Sequence, residues 1–261
     1  MPPLTYSSYL KLDELLSIQN LRSEGPEHDE MLFIIVHQVY ELWFKEIIHE
    51  VDYLGDRLVE GDTPHVQHTF KRILTILKVL VAQLDVLETM TPLEFLSFRD
   101  RLESGSGFQS FQFRELEFQL GNQRRETVDH FPEGSLGRER LEARYGKPTL
   151  WDHFLRYLAN NGYDVPEDQL NRDVTKGVQP SRGLQKVLIE LYRNDPMARS
   201  VCERFVDLDE GFQEWRYRHV KMVQRTIGTR KGTGGSSGAE YLKTTLFHPV
   251  FPDLWEIRPE F

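Results

Sequence analysis

Two histidines stand where a histidine could do chemistry. Between Met31 and Ile48, the residues Phe33, His37, Tyr40 or Glu41, and Phe44 recur every three or four positions and so share one helical face. His219 lies within a second stripe of the same spacing, formed by Phe205, Leu208, Phe212, Trp215 and Met222. A neutral imidazole directed from such a stripe is suited to ligating iron in a haem. The competing reading for each is a core histidine hydrogen-bonded to a neighbouring carbonyl, because buried polar groups are usually satisfied structurally. Two such histidines on two apolar helices, with few other internal polar groups, narrow the margin between these readings.

A third constellation pairs Phe95 with Arg99, four residues apart and therefore on one face. A guanidinium held beside an aromatic ring can grip a carboxylate through two parallel hydrogen bonds, the alternative being an ordinary surface arginine. The glycine-rich stretch 228–238 matches no phosphate-binding pattern: Lys231 precedes Gly232, where a P-loop needs Gly-Lys-Ser/Thr. It reads either as a mobile lid, giving Thr233 a ligand-contacting role, or as a plain flexible loop. Glu46 and His49 form a Glu-x-x-His, half of a di-iron motif, without the second copy such a site requires. Cys202 is the single cysteine, which excludes an intrachain disulfide and a Cys-x-x-Cys-His haem attachment.

The elements that must position these residues are helical. Periodicity predicts helices over 29–54, 64–89, 92–103, 108–120, 150–160, 181–194 and 196–227, and no long alternating strand pattern occurs. Thr91, Pro92 and Glu94 spell a capping box at the start of the helix that carries Phe95 and Arg99. The opposite face of the His37 helix holds Ile35, Val39, Leu42 and Ile47, which predicts a central element buried all round. The polar segments 121–147 and 162–180 read as irregular surface connections within one all-α domain spanning 1–261.

Composition sets the limits. The chain of 261 residues has 41 acidic against 32 basic side chains, a formal charge of −9, which argues against nucleic acid or an anionic membrane as partner. Aromatic residues at 11% argue against disorder. The apolar run 31–48 is interrupted by His37, Gln38, Glu41, Lys45 and Glu46, too many polar groups for a membrane span, and Met1–Tyr6 lacks the form of a signal peptide. The expectation is a soluble, cytoplasmic, globular protein.

Several longer blocks carry a resemblance. Leu4-Thr-Tyr6-Ser-Ser-Tyr9-Leu10, Phe33-Ile-Ile-Val-His37-Gln-Val-Tyr-Glu41-Leu-Trp43, the stretch Ser106 to Arg114, Trp215-Arg-Tyr-Arg-His219-Val and Gly232 to Gly238 together resemble the tryptophan 2,3-dioxygenase family, in one order over nearly the whole chain. The resemblance implies an all-α protein with one haem b per subunit between its helices, active in the ferrous form and assembled as a homotetramer. It also implies insertion of both atoms of O2 across the indole C2–C3 bond of L-tryptophan to give N-formyl-L-kynurenine, the first step of the kynurenine route. Carried over by position, His219 matches the proximal iron ligand and His37 the distal histidine near the indole nitrogen. Phe33 and Phe95 match pocket walls, Arg99 the carboxylate-binding arginine, and Thr233 the loop threonine at the amino acid's polar end. Tyr6, Tyr9 and Leu10, in an N-terminal arm over 1–25, match the segment that lines a neighbouring subunit's pocket. Position 95 is Phe where some members have Tyr, so no phenolic hydrogen bond arises there. Relatives that act on other indoles or aromatic amino acids, or insert one oxygen atom, form the alternative; Arg99 with Thr233 favours an amino-acid substrate.

Overall fold

Long amphipathic runs, several opened by a capping side chain and two closed by a glycine, determine how this chain folds. The structure is a computed structural model that describes residues 3–233 and 239–261. In chain order the helices are α1 (Tyr6–Leu10), α2 (Leu12–Leu15), α3 (His28–Glu60), α4 (Thr63–Leu87), α5 (Pro92–Arg99), α6 (Phe111–Gln119) and α7 (Arg125–Asp129). They continue as α8 (Leu136–Arg144), α9 (Leu150–Asn160), α10 (Glu167–Leu170), α11 (Arg182–Asn194), α12 (Pro196–Ile227), α13 (Ala239–Lys243) and α14 (Pro252–Glu256). Among the described residues there is no strand, so the all-α expectation holds.

Three long helices organise the rest. Gly61 ends α3 in the left-handed region at φ 74°, a conformation glycine adopts without a Cβ penalty. Asp62 then accepts the His65 N–H to cap α4, so the chain reverses within three residues and α4 runs back along α3. α12 packs along the other flank of α4. One continuous core cluster extends from Val36 to Ile257 and includes the fully buried Leu54, Phe70, Phe98, Trp151, Phe205 and Phe251. Each such side chain contributes about 1.5–3 kcal/mol on burial, which makes a core of this size self-sufficient without cross-links.

The predicted helices over 150–160 and 196–227 coincide with α9 and α12. Two expectations are corrected. The α3 helix is not buried all round: Ile35 and Leu42 are 43% and 53% exposed, because α4, α5, α6 and α9 cover its other sides and no described element of this chain covers that stripe. Segment 121–147 is not wholly irregular, since it contains α7 and α8. The α8 helix is held by the buried Leu141, packed with Phe118 and Val128, and by charge, with Arg140 and Arg144 on Glu115, and Arg144 on Asp52 at 2.6 Å. No helix among the described residues is long and apolar enough to cross a membrane.

Candidate active site

The stripes on α3, α5 and α12 converge on one cavity of about 650 Å³, lined by Phe33, His37, Phe95, Arg99, His219 and Thr233 among others. A cavity of this size and lining is what a small-molecule or cofactor site requires. Six of the positions singled out by sequence are therefore gathered in one place. Tyr6, Tyr9 and Leu10 do not line it; they are 77%, 70% and 41% exposed on the arm.

On α3, His37 lies one turn beyond Phe33, their rings 4.1 Å apart. The Nδ1 atom of His37 donates to the Phe33 carbonyl at 2.7 Å, which fixes the tautomer with the lone pair on Nε2. Both histidines retain accessible ring surface, but that surface opens into the cavity, and the surrounding protein strips away water. Burial accordingly pushes the pKa of His37 below the usual histidine value, opposed by the bond to Phe33 and the charge of Glu41. Burial and the nearby His37 lower that of His219 to about 4. Both are neutral imidazoles at pH 7.

On α12, His219 stacks on Trp215 with ring centroids 5.3 Å apart and planes 7° from parallel. Among the described residues no hydrogen bond engages the His219 ring. Trp215 is in turn fixed by Tyr40, Phe44 and Phe113.

On α5, the capping box forms as predicted: Glu94 N–H donates to Thr91 Oγ1, and Thr91 N–H donates to Glu94 Oε2 at 2.6 Å. This helix start aims Phe95 at Phe33, with ring centroids 5.8 Å apart, and brings Arg99 to the cavity wall. Arg99 donates to the carbonyl of Lys231, and Thr233 Oγ1 donates to the carbonyl of Gly105, so the start of the glycine-rich loop lies against α5 and the following turn. Residues 234–238 of that loop lie outside the described residues.

Sequence reasoning missed a charged lobe of the same cavity. Glu117 is met by Arg114 at 2.6 Å, Arg216 at 3.3 Å and Arg124 at 3.6 Å. Arg114 and Arg216 on one carboxylate leave excess positive charge, and burial pushes the pKa of Arg216 below the usual arginine value despite Glu117. A signal existed: Arg114 and Arg216 each belong to blocks that carried the resemblance. Glu46 and His49 build no di-iron site, and among the described residues no group of three or more His, Cys, Asp and Glu converges to hold a metal ion.

The family model described as tryptophan 2,3-dioxygenase matches residues 1–135 and 181–260. A protein named tryptophan 2,3-dioxygenase from Herpetosiphon aurantiacus is 60% identical over 257 residues, covering 98% of either chain. Proteins of the same name from an Anaeromyxobacter strain and from Myxococcus xanthus are 58% and 44% identical, each over 98% of this chain and over 95% and 89% of their own.

Proposed function

The chain belongs to the tryptophan 2,3-dioxygenase family, and on that premise we propose that its cavity binds L-tryptophan and O2 and cleaves the indole C2–C3 bond to give N-formyl-L-kynurenine. The observation that carries this reading is that two neutral histidines, His37 and His219, line one aromatic-walled cavity together with Arg99.

The residues fit a haem b. His219 is neutral, presents its ring to the cavity, and has no hydrogen bond competing for it among the described residues, so it would hold the haem iron. The excess of Arg114 and Arg216 over Glu117 suits a cofactor that bears carboxylates. When bound as ferrous haem, the cofactor supplies activation of O2.

The chain's own side chains then orient the substrate. The Nε2 lone pair of His37 accepts the indole N–H, since Nδ1 is committed to the Phe33 carbonyl. Phe33 and Phe95, packed against each other, present one apolar wall to the ring and exclude water. Arg99 grips the α-carboxylate through donors beyond the one given to Lys231, and Thr233 meets the amino acid's polar end. The indole nitrogen is too weak an acid for a neutral imidazole to deprotonate, so His37 holds the N–H in place and does not remove it.

The exposed Tyr6, Tyr9 and Leu10, together with the uncovered Ile35 and Leu42 stripe, support a homotetramer in which each arm lines a neighbouring copy's cavity. The deciding experiment is mass spectrometry of the product formed from L-tryptophan under ¹⁸O2 by the ferrous protein. Two labelled atoms in N-formylkynurenine support the reading; one labelled atom, or a product lacking the opened ring, overturns it.

A further inference from the structure

The N-terminal arm has almost no investment in its own chain. Among the described residues, no side chain of α1 or α2 is buried, while Leu4, Tyr6, Tyr9 and Leu16 are each at least 70% exposed. Something other than packing must set its path.

Glu30, in the first turn of α3, is 2% exposed although it is a carboxylate. Its oxygens accept the Arg22 N–H at 2.6 Å, the Ser23 N–H at 3.0 Å and the Ser23 hydroxyl. The Ser23 hydroxyl oxygen in turn accepts the Glu27 N–H at 2.9 Å, so the loop and the helix start satisfy each other's backbone donors. Two turns further along α3, Gln38 accepts from Gln19 Nε2 at 2.7 Å and donates to the Ile18 carbonyl. Residues 18–23 are thus strapped along about 12 Å of α3 by side chains at its positions 30 and 38. Two consecutive amide N–H groups on one buried carboxylate fix backbone direction as well as position.

We infer that Glu30, seconded by Gln38, is a positioning residue for the active site: it holds the strap that directs the arm toward the cavity of a second copy of this chain. The inference rests on the arm reading given above. Preorganisation of this kind lowers the ordering cost of binding and leaves chemistry alone.

The Arg22–Ser23 peptide bond, whose N–H is held by Glu30, is a trypsin site, and the exposed Lys176–Gly177 bond, outside the arm, is an internal reference. In full-length, cofactor-loaded protein, Glu30→Ala and the milder Glu30→Gln should speed cleavage after Arg22 relative to cleavage after Lys176. They should raise KM for tryptophan roughly tenfold for Ala and less for Gln, with kcat changed by less than about threefold and an unchanged far-UV circular dichroism spectrum. An unchanged cleavage ratio overturns the strap. Faster cleavage with unchanged KM overturns the positioning role, and Tyr6→Ala and Tyr9→Ala then assign the failure. If those variants also leave KM unchanged, the arm reading has failed; if they raise it, the arm matters and Glu30 does not direct it.

Discussion

His37 Nδ1 donates to the carbonyl of Phe33, one turn earlier on α3, at 2.7 Å. A backbone carbonyl only accepts, so the histidine's proton is committed and the cavity meets a lone pair. This geometry separates two roles. An obligatory general base contributes about 10²–10⁴ in rate, whereas an orienting acceptor contributes only about 0.5–1.5 kcal/mol.

His37→Ala should therefore retain measurable activity, lower by roughly one to two orders of magnitude, from the lost hydrogen bond and the lost wall beside Phe33. N-methyltryptophan, whose methyl group meets the imidazole, should be a poor substrate for the parent protein and relatively better for the variant. Steady-state kinetics on both substrates checks this. A fall of four or more orders with normal tryptophan binding would make His37 the base.

His219→Ala should fold, because Phe205, Leu208 and Phe212 on the same helix carry the core contacts, yet lose haem or bind it weakly. Soret absorbance and haem stoichiometry after reconstitution measure this, and His37→Ala should leave both largely intact. Normal five-coordinate ferrous haem in His219→Ala would remove His219 from the ligand role.

The site was legible where local pattern and burial coincide. The three- and four-residue stripes placed His37 and His219 on cavity-facing sides of α3 and α12, and Thr91 with Glu94 marked the start of α5. What remained hidden depends on distant partners. The α8 helix is highly charged and lacks a strong apolar stripe; one buried Leu141 and the distant Glu115 and Asp52, from α6 and α3, hold it in place. The Glu117 cluster joins side chains 99 residues apart in sequence, a pairing no spacing rule reaches. The exposure of Ile35 and Leu42 could not be read from α3 alone, since an apolar stripe does not announce whether its cover comes from the same chain.

Arg99 commits one donor to the Lys231 carbonyl and lines the cavity with the remainder of its fork. A bidentate pair with a carboxylate contributes about 1.5–3 kcal/mol, or roughly 10- to 150-fold. Arg99→Ala should weaken tryptophan binding by at least the lower figure and shrink the preference for tryptophan over tryptamine, which lacks the carboxylate. Titrations of both ligands against both proteins test this. Equal use of the two ligands by the unsubstituted protein would exclude the carboxylate grip and favour a different indole as substrate.

Asp209 gives a pH-dependent test of the scaffold. It is 1% exposed on α12, and its Oδ2 accepts N–H groups from Val250, Phe251 and Trp255, latching the C-terminal segment, while Oδ1 is buried without a hydrogen bond. Burial pushes its pKa above the usual aspartate value, against the lowering effect of Phe251, Trp255, Val250 and Gln213. The native state therefore keeps a proton that the unfolded chain has released. This carboxyl's contribution to stability is full below the unfolded pKa of about 3.9 and is lost as pH rises through the native value. Asn at this position retains a carbonyl oxygen for the three N–H donors and never ionises. Asp209→Asn should thus gain stability relative to the parent as pH rises from about 4 to 7.5, by up to roughly 1–3 kcal/mol, the usual cost of a poorly satisfied buried polar group. Urea unfolding at the two pH values reads this difference. An equal stability gap at both would mean that Asp209 does not titrate differently in the folded and unfolded chains.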